Sequence, residues 1–396
     1  MDSKRRLQLA CLYAGFFAGL GLVTAAVLEA GIRMFVPEKH WRIQVAEKDC
    51  QPDALLGWMH KTNTSVEKRG IGGDIIRFRT NPDGLQPASA RPERDPNRHR
   101  IMLFGDSTVV GRAVPEHQRL GPELERALAS RGLGCEVICA GVAGYATDQS
   151  LLLMRRLLPR YRPDLVIHMA SPTDYHENGR DIMYGLPKPR FTVGPDGELI
   201  LHEPSLDQIL SIWNATNRPR FRSTLGNSAL YRLARPGFQH LCEALGLRQK
   251  TVRRREDPES PESLLSKADW NLYDSLIGAM KKACKQNGAD LLLTQHPSVE
   301  EVWSDAEPES RRYSIQHRLE LTARKTAAGF CPVISFFLQR RSEGPFHLLP
   351  EDKHCNAKGY EVTARCLADH LAANPSPLRR NSGDRPVTSP QTHIDR

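Results

Sequence analysis

Three residues of this sequence have the types and spacing for acyl transfer: Ser107 in "RIMLFGDSTVVG", with Asp352 and His354 in "PEDKHCNAKGY". A serine hydroxyl is a poor nucleophile until a neighbouring base takes its proton. Asp352 stands two residues before His354, and residues i and i+2 of an extended segment point the same way. Its carboxylate can accept from one imidazole nitrogen while the other faces a nucleophile. The reaction also needs donors for the developing oxyanion. Gly141 and Gly144 in "ICAGVAGYATDQS" stand where a strand gives way to a helix, so their amides can face an anion. Thr173 and Asp174 in "HMASPTDYHENG" follow another apolar run. Asp106 reads as a cap or loop-ordering residue rather than a reactant. Each signal has a plainer use as a helix cap, a surface loop or a turn. Their shared order along one topology is what makes them a site.

The elements that must position these residues alternate. Apolar runs fall at Ile101–Phe104, Cys135–Cys139, Leu165–Met169, Leu291–Thr294 and Pro332–Phe336, and helical patterns at about 118–131, 147–160, 264–287, 307–328 and 357–372. Short continuous apolar strands separated by helices predict an α/β fold, a five-stranded parallel sheet covered on both faces. Ligands of such sheets gather beyond the carboxyl ends of the strands, where Ser107 falls. Residues 35–99 form a turn-rich lead-in, with a short strand at Ile75–Arg79 ending in an Asn-Pro-Asp-Gly turn. The core domain is expected over 100–372, interrupted at about 185–262 by an insertion. That insertion begins with a hairpin around Pro195-Asp196-Gly197 and continues through a basic, partly helical stretch. The tail, 373–396, reads as disordered.

At 396 residues, 40% hydrophobic and 26% charged, the chain has ample core-forming capacity. Residues 1–34 are distinct: Lys4, Arg5 and Arg6 precede an uncharged run from Leu7 to Leu28. As a helix this run would reach about 33 Å, enough for a bilayer core. It is followed by no clear small-x-small cleavage site, so a retained single-pass anchor is expected rather than a cleaved signal. The basic flank stays cytoplasmic, which puts the rest of the chain outside the inner membrane. The net charge of +9 is concentrated between Arg218 and Arg255, which hold ten Lys or Arg against one acid, Glu243. For an exported chain that charge suits anionic lipid or an acidic polymer better than nucleic acid. The nine cysteines form no Cys-x-x-Cys pair, and Cys135 and Cys139 lie too far apart on one strand to bridge. Other chemistries fit less well. Position 109 is Val, so no Gly-x-Ser-x-Gly elbow surrounds Ser107. Cys355 adjoins His354 and would point away from it, and His176, His296 and His347 are too scattered in sequence to argue a metal.

With these motifs in place, the chain resembles the SGNH (GDSL-type) hydrolase family, in its membrane-anchored bacterial form. "FGDSTVVG" is similar to the nucleophile block, with Ser107 at the matching serine. "AGVAGYATDQ" resembles the glycine block, with Gly144 at the oxyanion glycine. "DKHCNAKGY" resembles the last block, with Asp352 and His354 as acid and base. The resemblance implies a flavodoxin-like three-layer sandwich that acts on carboxylic esters without metal or organic cofactor. One block departs: the family carries Asn-Asp where this chain has Thr173-Asp174. A threonine hydroxyl donates one hydrogen bond from a shorter arm, so Thr173 is expected to be a weaker oxyanion donor beside the Ser107 and Gly144 amides. The resulting expectation is an anchored, extracytoplasmic serine esterase acting on acyl groups of a small molecule or cell-envelope glycan. An O-acyltransferase using the same triad, and a glycan-binding protein without catalysis, are the alternatives.

Overall fold

The computed structural model describes residues 3–35, 49–69, 75–217, 270–303, 308–349 and 352–375. The basic stretch from Arg218 to Arg255 and the tail beyond residue 375 lie outside the described residues. The chain divides into two units, Met1–Glu47 with Ile212–Asp257, and Lys48–Ser211 with Pro258–Arg396. In the first, α1 (Ser3–Phe35) is one continuous helix. Among the described residues no helix is long and apolar enough to cross a membrane. The side chains of residues 7–11 and 14, part of the uncharged run, lie outside the described set.

The second unit opens with two antiparallel ribbons, β1 (Cys50–Asp53) with β2 (Gly57–His60) and β3 (Ser65–Arg69) with β4 (Ile75–Arg79). The core follows: β5 (His99–Phe104), α2 (Ser107–Val110), α3 (Leu120–Ala129), β6 (Cys135–Cys139), α4 (Thr147–Tyr161), β7 (Leu165–Ala170) and α5 (Asp174–Glu177). Two hairpins come next, β8 (Ile182–Met183) with β9 (Leu186–Pro187) and β10 (Arg190–Val193) with β11 (Leu199–His202), then α6 (Leu206–Asn217). The core resumes with α7 (Trp270–Gln286), β12 (Asp290–Gln295), α8 (Val299–Trp303), α9 (Pro308–Thr326), β13 (Gly329–Phe330), α10 (Val333–Leu338) and α11 (Ala357–Ala373).

The five core strands pair in parallel in the order β13-β12-β7-β5-β6. Numbered by appearance this is 2-1-3-4-5, the flavodoxin-like order, whose switch point lies between β5 and β7. Nearly every residue of β5 and all of β7 are buried, as expected of strands covered on both faces. Ile101, Leu103, Leu165 and Ile167 share a core with Leu124 of α3, Phe337 of α10 and Leu367 of α11. Met102 and Val166 alternate to the opposite face, where α4 and α7 pack together.

One predicted strand is not there. The run expected as a strand at Pro332–Phe336 forms α10, and the edge strand is the preceding Gly329–Phe330. Pro332 lacks the N–H a ladder needs, and Val333, Ile334 and Phe337 fall on one buried helical face. A short apolar run carries no period long enough to separate the two cases.

Candidate active site

Ser107 begins the single turn of α2 directly after β5, at the switch point of the sheet. The turn is tight because of Gly105: at φ +156° it lies where a Cβ would sit 2.7 Å from the Met169 carbonyl. Asp106 caps the turn, its Oδ1 accepting from the Thr108 amide at 2.8 Å and the Thr108 hydroxyl at 2.7 Å. Gly111 closes it at φ 68°. The helix behind Ser107 is only four residues long, so its dipole adds little, contrary to the reinforcement a longer helix would give.

The loop before α11 brings His354 and Asp352 to Ser107. His354 Nε2 stands 2.8 Å from Ser107 Oγ, and His354 Nδ1 stands 2.5 Å from Asp352 Oδ1. The same Asp352 oxygen accepts from the His354 amide at 2.9 Å, so ring and backbone are held together. The loop closes on itself through Leu348 N to His354 O at 3.0 Å and Asn356 N to Phe346 O at 2.9 Å. Asn356 caps α11 by accepting from the Gly359 amide. Tyr360 then donates from α11 to the Thr108 carbonyl at 2.9 Å, tying the helix that follows His354 to the turn of Ser107. Cys355 is buried on the other side of this loop and its thiol is pushed up by burial, which removes it as a nucleophile.

The glycine loop packs on the same turn through Val142 N to Gly105 O at 3.1 Å. Gly144 has φ +77°, open to glycine and costly for other residues. Trp58 of β2 holds this loop, donating Nε1 to the Ala143 carbonyl at 3.0 Å. Among the described residues neither the Ser107 nor the Gly144 amide donates to another group. Both remain available to an anion.

Thr173 stands immediately before α5 as its N-cap, its Oγ1 lying 3.3 Å from Ser171 Oγ. Behind it Asp174 is buried, accepting from the Ser171 amide and the Thr147 hydroxyl, each at 3.2 Å. Burial, then Asp106 and Glu177, push its carboxyl well above the usual range, and its hydrogen bonds join α5 to α4. Glu177 is raised to about 7, chiefly by burial, while a hydrogen bond from Thr173 favours its charged form.

His176, His296 and His347, singled out in the sequence, separate by environment. His296 and His347, scattered in sequence, both converge on His354; burial lowers His296 to about 3, and its neighbours His347 and His354 add to the shift. His347 Nδ1 accepts from Trp303 Nε1 at 3.1 Å while its Nε2 donates to the Pro297 carbonyl at 2.7 Å. Both ring nitrogens are therefore committed to a neutral tautomer. Burial, its largest influence, also lowers its pKa. His176 lies apart, on α5. One group of metal-ligand types exists among the described residues, Asp49, Cys50 and His60, all buried. The Arg112 guanidinium already reaches Asp49 Oδ1 at 2.9 Å and His60 Nδ1 at 3.2 Å, so this carboxylate is matched by an internal cation.

Residues 103–362 match the GDSL-like lipase/acylhydrolase family, and the chain belongs to it. It is an SGNH hydrolase, an ester-hydrolysing enzyme. No curated protein matches the chain. Among solved structures it is similar to TesA, with 12% identity, 69% of this chain and 98% of that one covered, and a TM-score of 0.37. It is also similar to the acetyl xylan esterase AlAXEase, with 12% identity, 69% and 99% covered, and a TM-score of 0.37. A psychrotrophic esterase EstA from Pseudoalteromonas sp. gives 11% identity, 70% and 99% covered, and a TM-score of 0.38.

Trp58, Tyr184, Lys188 and Glu177 join this site although sequence reading singled out none of them. Each reaches it through a contact distant in sequence or through the local field.

Proposed function

We propose that the chain is a membrane-anchored, extracytoplasmic serine esterase in which Ser107, His354 and Asp352 act as nucleophile, general base and orienting acid. The observation that carries this reading is the continuous relay from Ser107 Oγ to His354 Nε2 and from His354 Nδ1 to Asp352, at 2.8 and 2.5 Å. Ser107 Oγ attacks the ester carbonyl carbon as its proton passes to His354 Nε2. The Ser107 and Gly144 amides, with a weaker contribution from Thr173, take up the oxyanion. Collapse breaks the bond to the alcohol, which leaves with the proton from His354. Water then attacks the acyl-enzyme, gives a proton to His354, and releases the acid as Ser107 is reprotonated. An acceptor hydroxyl in place of that water would make the protein an O-acyltransferase.

The location reading rests on the basic residues 4–6 and the uncharged run Leu7–Leu28, and the exposure of Leu12, Phe16, Phe17, Leu20 and Val23 along α1 supports it. An envelope glycan as acyl carrier follows from that location and from the basic stretch. Fluorophosphonate labelling of the full chain in detergent, beside Ser107→Ala and His354→Ala, tests the site. Labelling lost in both variants is the expected result; equal labelling of Ser107→Ala would overturn it. Product analysis with and without an acceptor sugar separates hydrolysis from transfer.

A further inference from the structure

Tyr184 occupies an unusual place. It and Gly185 form the two-residue tip of the β8–β9 hairpin, with φ of 50° and 78°. Such a turn suits Asn or Gly at both central positions; a tyrosine held there is strained. The residue is 79% exposed, so no gain from core burial explains the strain. Its ring instead lies against the oxyanion loop: a Cβ placed on Gly144 would be 2.4 Å from Tyr184 Cε2 and 3.5 Å from Trp58 Cζ2.

The hairpin is anchored to hold that ring still. Met183 and Leu186 are buried at its base. Lys188, just beyond β9, is fully buried and donates Nζ to Asp148 Oδ2 at 2.5 Å. It also donates to the carbonyls of Arg180, Pro189 and Glu177 at 3.1, 3.0 and 3.3 Å. Asp148 lies in the first turn of α4, the helix entered from the Gly144 loop. Hairpin tip and oxyanion glycine are thus fixed to one helix start. The phenol is pushed up to about 12 by surrounding protein and then by Glu177, Asp106 and Asp174.

We propose that Tyr184 is a substrate-contacting specificity residue, an aromatic wall on which the sugar ring of an acylated pyranoside packs while its acyl carbonyl enters the oxyanion site. A pyranose ring has an apolar face and a rim of hydroxyls. The Tyr184 ring meets the face, and the neighbouring Glu177 and Asp106 carboxyls can accept from the rim. A long alkyl chain would gain from the ring but lose beside those carboxyls.

The inference rests on the active-site reading above, and its test separates the two. Full-length protein in detergent is assayed on a monoacetylated methyl xyloside, its other hydroxyls free, and on p-nitrophenyl octanoate, with fluorophosphonate labelling in parallel. Tyr184→Gly removes the ring and suits the positive φ, so its Tm should not fall. Its KM for the xyloside should rise roughly five- to tenfold with kcat within about twofold. The octanoate KM should rise by clearly less than the xyloside KM, labelling should still require Ser107, and Tyr184→Phe should restore the xyloside KM. An unchanged xyloside KM in Tyr184→Gly overturns the proposal, as does an equal rise for both esters or a wild type inert on the xyloside. Turnover surviving in Ser107→Ala would instead defeat the active-site reading, whatever Tyr184 does.

Discussion

The two sides of the cleft are built on different principles. On the relay side, each hydrogen bond supports the next: one Asp352 oxygen accepts both the ring and the backbone of His354, and the loop carrying them is closed by its own amides. On the oxyanion side, Thr173 is flanked by carboxyls, with Asp174 buried and Glu177 held near neutral pH by burial. When Glu177 is ionised, its charge opposes the charge that develops during ester attack. The relay side is secured by geometry, whereas the oxyanion side is exposed to pH and to the surrounding field.

The largest effect should come from the relay. Asp352→Asn keeps the shape but offers the His354 ring and amide an amide group instead of a carboxylate, favouring the wrong tautomer. We expect kcat to fall on the order of 10³- to 10⁴-fold with stability changed by less than about 1 kcal/mol. Steady-state kinetics beside a thermal melt decide this; a drop below tenfold would remove Asp352 from the orienting role.

Next comes the anchor beneath the oxyanion side. Lys188→Met leaves Asp148 buried without its cation, which should cost about 3 kcal/mol or more at alkaline pH. The Asp148 carboxyl is already raised by burial from 3.8 to about 6, although Lys188 pulls it down. A raised carboxyl favours the fold when protonated, so its contribution is fully present below the unfolded value and is lost as pH rises through about 6. Removing Lys188 should push that value higher and deepen the loss. Urea melts should therefore show a larger penalty above about pH 7 than below about pH 5. A penalty independent of pH would mean that the pair holds the hairpin only by packing.

These two regions also differ in how much of them sequence could disclose. Ser107, Gly144, Asp352 and His354 follow strand ends or precede a helix, and local patterns of apolar runs and turns are sufficient to place them. Asp106 as a cap is equally local, since its partner is two residues away. Lys188 and Asp148 are forty positions apart, and Trp58 reaches Ala143 from another ribbon. Such contacts depend on how hairpins seat against a helix, which no periodicity encodes. The convergence of His296 and His347 on His354 was hidden for the same reason: β12 had first to be placed beside β7. At the sheet edge the failure was of another kind, because the run after Cys331 is apolar in either periodicity.

Thr173→Asn should have a smaller effect, in the favourable direction. It supplies an amide donor with longer reach where the hydroxyl is shared with Ser171 and Glu177. Restoring a full oxyanion donor should raise ester turnover about tenfold, less than the roughly 10²- to 10³-fold of a whole donor because the Thr173 hydroxyl already supplies part of it. Turnover equal to or below wild type would show that Thr173 is not acting as a replacement donor.

The smallest effect is also the one that most directly joins the oxyanion side to its field. Glu177 is raised from 4.5 to about 7, mainly by burial, so it is neutral below that pH and charged above it. Its charged form is favoured by the Thr173 hydrogen bond, which means that ionisation draws the hydroxyl proton toward Glu177 and away from a substrate oxyanion. Two penalties then arrive together as pH rises through 7: a lost donor and a nearby negative charge. Glu177→Gln removes the charge at every pH. The ratio of its kcat/KM to that of wild type should be close to one below about pH 6 and climb to roughly threefold above about pH 8. The fold should respond in step. Because the native value lies above the unfolded one, Glu177 contributes stability that is complete below 4.5 and disappears through about 7, and Glu177→Gln should flatten the melting profile across that window. A kcat/KM ratio that stays constant while the melting profile flattens would separate the two consequences. It would place Glu177 in the packing of α5 and leave Thr173 free of its influence.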